Sequence, residues 1–180
     1  MIVELGAFAL ILAFVLSLAQ TALSAAGARR PLLAGAGEGA ATGAFIALIV
    51  TFGALIHAFV TSDFSVANVA NNSHTAKPLL YRVAGAWGSH EGSMVLWCLA
   101  LTGFGAAIGW FGRDLPRDLK ARTIAVQGAL GAAFLAYTVF ASNPMTRLID
   151  PPVEGASLNP LLQDPALAFH PPLLYLGYVG

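Results

Sequence analysis

The residues of this chain whose chemistry goes beyond packing are four histidines, His57, His74, His90 and His170, one cysteine, Cys98, and Ser89 next to His90. Their spacing excludes most of what such residues do. A single Cys leaves no internal disulfide and no CxxC metal or redox pair. No HxxxH or HExxH spacing occurs, so no local zinc site is written into the sequence. Ser89 and His90 are adjacent, which is poor geometry for a nucleophile and its base, and no GxSxG turn accompanies them. Ser89 reads instead as a helix N-cap. His170 is the most informative of the four: Pro171 and Pro172 follow it and the apolar run continues, which predicts a helix with the prolines in its first turn, where their missing N–H costs nothing. An imidazole held at the mouth of a helical bundle is either an axial ligand for haem iron or a hydrogen-bonded interfacial histidine. His57, inside an apolar run, is either functional or bonded to a neighbouring helix carbonyl.

The elements that position these groups follow from composition. Of 180 residues, 57% are hydrophobic and 10% charged, with zero net charge, against about 25% charged in a typical soluble domain. The chain reads as an all-α, polytopic transmembrane bundle. The charge balance gives no basic excess for nucleic acid, so membrane lipid is the expected surrounding and no nucleic-acid partner is expected. Runs free of acidic and basic residues cover 5–28, 39–62, 92–112 and 123–146, each at least the roughly 20 residues that a 30 Å hydrocarbon core requires. A fifth run, 166–180, is still in progress at Gly180, and the expectation is the N-terminal transmembrane part of a longer protein. The first run follows Glu4 rather than a basic segment and is too long for a signal peptide.

Arg29, Arg30, Arg113, Arg117, Lys120 and Arg122 fall in the first and third loops, whereas Lys77, Arg82 and Arg147 spread over the other two. The positive-inside rule then places the N-terminus and the loops 63–91 and 147–165 on the outer, periplasmic side of a bacterial inner membrane. Seven of the ten prolines lie in 143–172, which favours an extended course there. Glu4, Glu38, Glu91 and Asp164 each precede an apolar run, where a carboxylate meets the positive end of a helix dipole. Gly39 with Gly43 and Gly105 with Gly109 are GxxxG spacings suited to close helix packing. Trp87 and Trp110-Phe111 read as interfacial aromatics at opposite boundaries. No paired acid or Lys lies within the four runs, which speaks against a transporter.

Two longer motifs carry a resemblance. Trp87-Gly-Ser-His-Glu-Gly-Ser-Met-Val-Leu-Trp97, preceded by Pro78-Leu-Leu-Tyr-Arg-Val, and the stretch from Glu154 to Gly180 containing His170-Pro-Pro resemble two signatures of the CcmF/NrfE family of cytochrome c maturation proteins. The resemblance covers essentially the whole chain. It implies a haem lyase component that takes haem b from the haem chaperone CcmE and, with a CcmH-type thiol protein, promotes thioether attachment to the CxxCH thiols of apocytochrome c. It implies that His170 is an axial ligand to the incoming haem iron. Trp87, His90 and Glu91 belong to the first signature, which would line the path of haem or apocytochrome, or cap and pack a span. His57, His74 and His90 match no family ligand position. The family's Trp-rich segment, the second flanking histidine and the resident-haem ligands are absent from these 180 residues, so the isolated piece is expected to be inactive and to bind haem weakly or not at all. A different class of function would be a haem-binding or haem-translocating module without ligation activity, separated from the first by whether intact protein with its thiol partners makes thioether bonds.

Overall fold

The apolar runs become helices that meet along seams of small residues. The computed structural model describes residues 1–28, 30–157 and 163–180, with Leu167 by its backbone alone. In chain order the helices are α1 (Ile2–Gly27), α2 (Pro31–Val60), α3 (Ala67–Asn72), α4 (Leu79–Gly88), α5 (His90–Phe111), α6 (Arg117–Phe140) and α7 (Pro165–Val179), with a 3-10 turn at Gly112–Asp114. Four of them, α1, α2, α5 with its 3-10 turn, and α6, are long and apolar enough to cross a membrane. The all-α bundle expected from composition is what forms, and the described residues contain no strand beyond one isolated bridge between Val66 and Arg147.

Buried positions on α1 include Val3, Gly6, Leu10, Ala13, Ser17, Gln20, Ser24 and Gly27, with Ala9 beside them. That alternation of three and four is the spacing of a left-handed coiled-coil seam, here built largely from small side chains. On α2 the same spacing appears at Gly37, Ala41, Ala44, Leu48, Thr51, Leu55 and Ala58, and on α6 at Ala121, Ile124, Gly128, Gly131, Leu135 and Thr138. Large side chains such as Phe8, Val15, Ile46 and Leu130 point outward, as lipid permits and water would not. Gln20 joins the seams across the bundle: its amide donates to the Ile124 carbonyl at 2.9 Å and to Gln127 Oε1 at 2.6 Å.

Two expectations about this region need correction. Helix α2 begins at Pro31, so Glu38 lies about two turns inside it rather than at its start, and its carboxylate pairs with Lys120 at 2.9 Å. The proline supplies a preset φ at the first helical position, which lets the helix start before the charge-free run does. Gly39 is not a packing glycine either: a Cβ there would meet nothing within 4 Å. Close approach does occur at Gly105 of the second pair, where a Cβ would strike Gln127, and also at Gly27 against Ala34, Gly37 against Ser24 and Gly128 against Gln20 and Thr21.

The two ends of the bundle are built differently. At the basic end only residues 28–30 and the turn 112–116 join consecutive helices. At the opposite end two longer connections are laid together. Ala67 N–H donates to the Thr146 carbonyl at 2.9 Å, Leu148 N–H to Ser65 at 2.8 Å and Ala156 N–H to Ala70 at 2.7 Å. Beneath them Leu55, Phe59, Phe64, Val66, Val69, Ala86 and Met145 form a buried cluster. Arg147 binds Glu4 and reaches Asp63 Oδ2 at 3.1 Å, tying the start of α1 to both connections. Asp63 is pushed up by partial burial, but the Ser65 hydroxyl and Arg147 more than reverse this and hold it below the ordinary aspartate value. Helix α2 closes on Ser62 with φ 54°, a left-handed residue, with Asp63 N–H donating to Ala58 at 2.9 Å in the Schellman pattern. Arg82 of α4 adds a bond to the Val60 carbonyl at 3.2 Å.

Candidate functional site

The site lies where α4, α5 and α7 meet at the connected end. Asp164 starts α7: its carboxylate accepts from Ala166 N–H at 2.8 Å and its carbonyl from Ala168 N–H at 2.9 Å. Pro165 is the first helical residue. Pro171 and Pro172 therefore stand inside the helix, in its second turn, which corrects the expectation that they open it. The reason is local: Asp164-Pro165 is a stronger start, combining a carboxylate cap with a proline at the position where no N–H is needed.

That shift creates an acceptor. A proline has no N–H to give to the carbonyl four residues earlier, so Pro172 leaves the Ala168 carbonyl without its helical donor. The indole Nε1 of Trp87 donates to that carbonyl at 2.9 Å. Trp87 is half-buried, packs against the cluster below the connections and lies 6.3 Å from the Phe52 ring. It is thus a tie between α4 and α7. Further along, Tyr175 and Tyr178 of α7 each approach Trp97 of α5 with ring centroids 5.5 Å apart. Between α7 and the α2–α5 wall an apolar cavity of about 450 Å³ remains, lined by Phe45, Phe104, Trp110, Pro172 and Tyr175 among others.

His170 follows two residues after the pinned carbonyl. It is exposed, and among the described residues no group hydrogen-bonds its imidazole. That exposure is compatible both with a ligand and with an interfacial histidine. His57 is also exposed, with no ring partner among the described residues, so the expected carbonyl bond is absent there too. His74 Nδ1 accepts from Ala76 N–H at 3.1 Å and lies 3.9 Å from Glu154 Oε1. The described residues contain no group of three His, Cys, Asp or Glu able to hold a metal ion.

His90 and Glu91 open α5. Ser89 caps that helix as expected, its hydroxyl accepting from Gly92 N–H at 3.0 Å. His90 Nδ1 lies 3.0 Å from Ser142 Oγ, and its ring meets Tyr137 edge-on at 5.8 Å. Together with Glu91 it lines a polar cavity of about 550 Å³ whose other walls include Asn68, Asn71, Asn72, Ser142 and Asn143. These amides were not singled out from sequence, although Asn68, Asn71 and Asn72 carry the three-and-four spacing of one helix face. Nearby, Glu154 accepts from Thr75, whose hydroxyl, with the Thr75 and Gly155 backbone N–H groups, holds the carboxyl down at about 2. Lys77 is buried without a hydrogen-bond partner among the described residues, and desolvation pulls its pKa down.

A multi-helix bundle with an exposed His-Pro-Pro histidine at one end defines a class, and sequence comparison assigns it. The chain belongs to the family described as Cytochrome C assembly protein, whose profile matches residues 87–180. It is 54% identical over its whole length to the cytochrome c-type biogenesis protein ccl1 of Rhodobacter capsulatus, covering 28% of that protein. It is 47% identical to CcmF of Pseudomonas aeruginosa, covering 100% of this chain and 28% of that one. Against CcmF of Escherichia coli the identity is 49% over 76% of this chain and 21% of the relative. A solved structure named cytochrome c haem lyase CcmF superposes with a TM-score of 0.85 at 25% identity over 99% of this chain and 28% of that chain. The chain thus spans about 28% of the length of these longer relatives.

Proposed function

We propose that the chain forms the part of a cytochrome c haem lyase that receives haem at the periplasmic face of the bacterial inner membrane. There His170 ligates the iron of the incoming haem, the cargo handed over by CcmE, while apocytochrome c thiols prepared with a CcmH-type protein are brought to it. The observation that supports this reading is the exposed imidazole of His170, two residues from a backbone carbonyl pinned by Trp87. Both names of the relatives, biogenesis protein and haem lyase, agree with it.

The orientation draws support from how charge is handled at each end. Arg113, Arg117 and Arg122 are exposed at the basic end. At the other, Lys77 is buried and Arg147 is neutralised by Glu4 and Asp63. The larger number of basic residues in the two short loops supports assigning that end to the cytoplasmic side. The work of the chain's own residues is positioning: holding reactants in register contributes up to about 7–11 kcal/mol in favourable cases. His170 supplies one axial group, Trp87 fixes the helix that carries it, and the second ligand and a Trp-rich platform come from sequence beyond these 180 residues.

The test is His170→Ala in the intact protein, with membrane insertion checked by accessibility of a tag. Haem captured from the chaperone and the yield of holocytochrome c should both fall while insertion stays unchanged. Undiminished yield under limiting haem would remove His170 from the site.

A further inference from the structure

We propose that a cavity at the basic end of the bundle binds the phosphate of an anionic glycerophospholipid. The cavity holds about 530 Å³, within the range of roughly 300–1,000 Å³ found for ligand clefts. It opens where the ends of α1 and α5 meet the starts of α2 and α6. Its lining is of two kinds. Arg113, Arg117 and Lys120 stand against a single acid, Glu38, so three positive charges less one negative leave an excess of two. The rest of the lining is apolar, with Ala34 and Leu115 among its larger side chains. A free anion uses only the first kind, whereas a glycerophospholipid joins a charged phosphate to apolar chains and uses both.

The charges are disposed so that the arginines are available. Lys120 gives its Nζ to Glu38 Oε2 at 2.9 Å and to the Gly109 carbonyl at 2.8 Å, which fixes the amine and neutralises the acid. Arg113 and Arg117 are exposed, and among the described residues neither side chain makes a hydrogen bond or an ion pair. The nearby acid on α6, Asp118, is taken by Arg122 at 3.0 Å, and Asp114 lies outside the lining. Helix α6 also starts here without a side-chain cap, because Pro116 precedes it, and the N–H groups of such a first turn are donors for a phosphate oxygen. A guanidinium adds a planar fork that binds two phosphate oxygens at once.

Position selects the source of the phosphate. The helices whose ends form the cavity are the four long and apolar enough to cross a membrane, which sets it at the depth where headgroups begin. Trp110 and Phe111, exposed at the end of α5, mark the same boundary. Basic pockets between membrane helices at this depth suit anionic headgroups. Only the choice of leaflet, the cytoplasmic one, rests on the orientation proposed above.

The experiment uses the intact protein in mild detergent, short-chain phosphatidylglycerol as the probe, and native mass spectrometry to count bound lipid. One phosphatidylglycerol should bind per protein, severalfold more tightly than phosphatidylcholine, whose phosphate is neutralised by its own ammonium. Arg113→Gln and Arg117→Gln should each weaken binding about fivefold, and more in combination. Arg122→Gln, which removes an equal charge outside the cavity, should leave it nearly unchanged. Excess inorganic phosphate should not displace the lipid. The comparison of the two lipids needs no variant, so it decides even where a substitution prevents insertion. Equal binding of the two lipids, full displacement by phosphate, unchanged affinity in both Arg113→Gln and Arg117→Gln, or an equal loss in Arg122→Gln overturns the proposal. The haem reading fails separately, because His170 stands at the opposite end and His170→Ala should leave lipid affinity unchanged.

Discussion

The two ends of this bundle solve the same problem, returning the chain into the membrane, with unequal means. At the basic end a short turn suffices, and the charges there are mostly exposed. At the other end the connections between α2 and α5 and between α6 and α7 bond to each other, bury a hydrophobic cluster and carry the amides of Asn68, Asn71, Asn72 and Asn143. Reversal of direction needs neither a core nor bonds between residues some eighty positions apart, such as Thr75 and Glu154. The extra order at that end exceeds what reversal requires, and long structured loops of this kind are where function concentrates.

Substitutions can break or sharpen that contrast. The largest effect is expected from Gly92→Leu, because a Cβ at Gly92 would collide with the Ala86 carbonyl oxygen and force α4 from α5. Overpacking of this kind costs about 1–3 kcal/mol or more, read as a lowered thermal midpoint in detergent. Gly39→Ala, near the basic end, has open space around it and should be neutral or stabilising by up to about 1 kcal/mol, as expected for Gly to Ala in a helix. Equal losses at the two positions would dissolve the distinction.

Next comes Trp87→Phe, which keeps the ring and removes the donor to the Ala168 carbonyl. Leaving that acceptor unpaired costs about 1–3 kcal/mol, and haem capture by the intact protein should fall partway toward the His170→Ala level, with the protein still inserted. A smaller gain is expected from Ser62→Gly. The left-handed φ of 54° suits glycine, and the relief is about 0.5–1 kcal/mol, visible as a higher midpoint and unchanged haem capture.

The smallest effect concerns acid. Glu154 sits at about 2 in the folded protein against an ordinary 4.5, so its contribution is fully present above the ordinary value and is lost as pH falls through the folded one. Protection of the Thr75 amide in hydrogen exchange, corrected for intrinsic rate, should hold from neutrality to about pH 4.5 and decline toward pH 2. The group is well exposed, so global stability should hardly register the change.

Much of the bundle could be read from composition and charge-free runs alone. Ser89 caps α5 as its sequence position implies. What escaped has physical causes. In lipid both the seam and the outer surface are apolar, so Leu10 and Ile11 look alike in sequence although one is buried and the other exposed. Hydropathy periodicity then carries little information, and the seams rest on small residues such as Gly37, Ala41 and Ala44. Helix α3 stood unnoticed inside a loop because it rests on the cluster around Phe59 and Val69, a tertiary cause with no local sign, whereas α4 does carry an amphipathic pattern in its own sequence. The role of Trp87 depends on a carbonyl that only the placement of α7 frees.

The three-and-four seam between α1 and α2 also sets a timetable. Those helices are neighbours in sequence, joined by the short connection at 28–30, so their packing closes a small loop and can form as soon as both have left the ribosome. The knot of Arg147 with Glu4 and the Thr75–Glu154 bond wait for residues more than a hundred positions beyond α1. The membrane therefore receives a hairpin first and the interlocked connections last. Slow or defective assembly would yield inserted protein that is mature at its basic end and unfinished at the other.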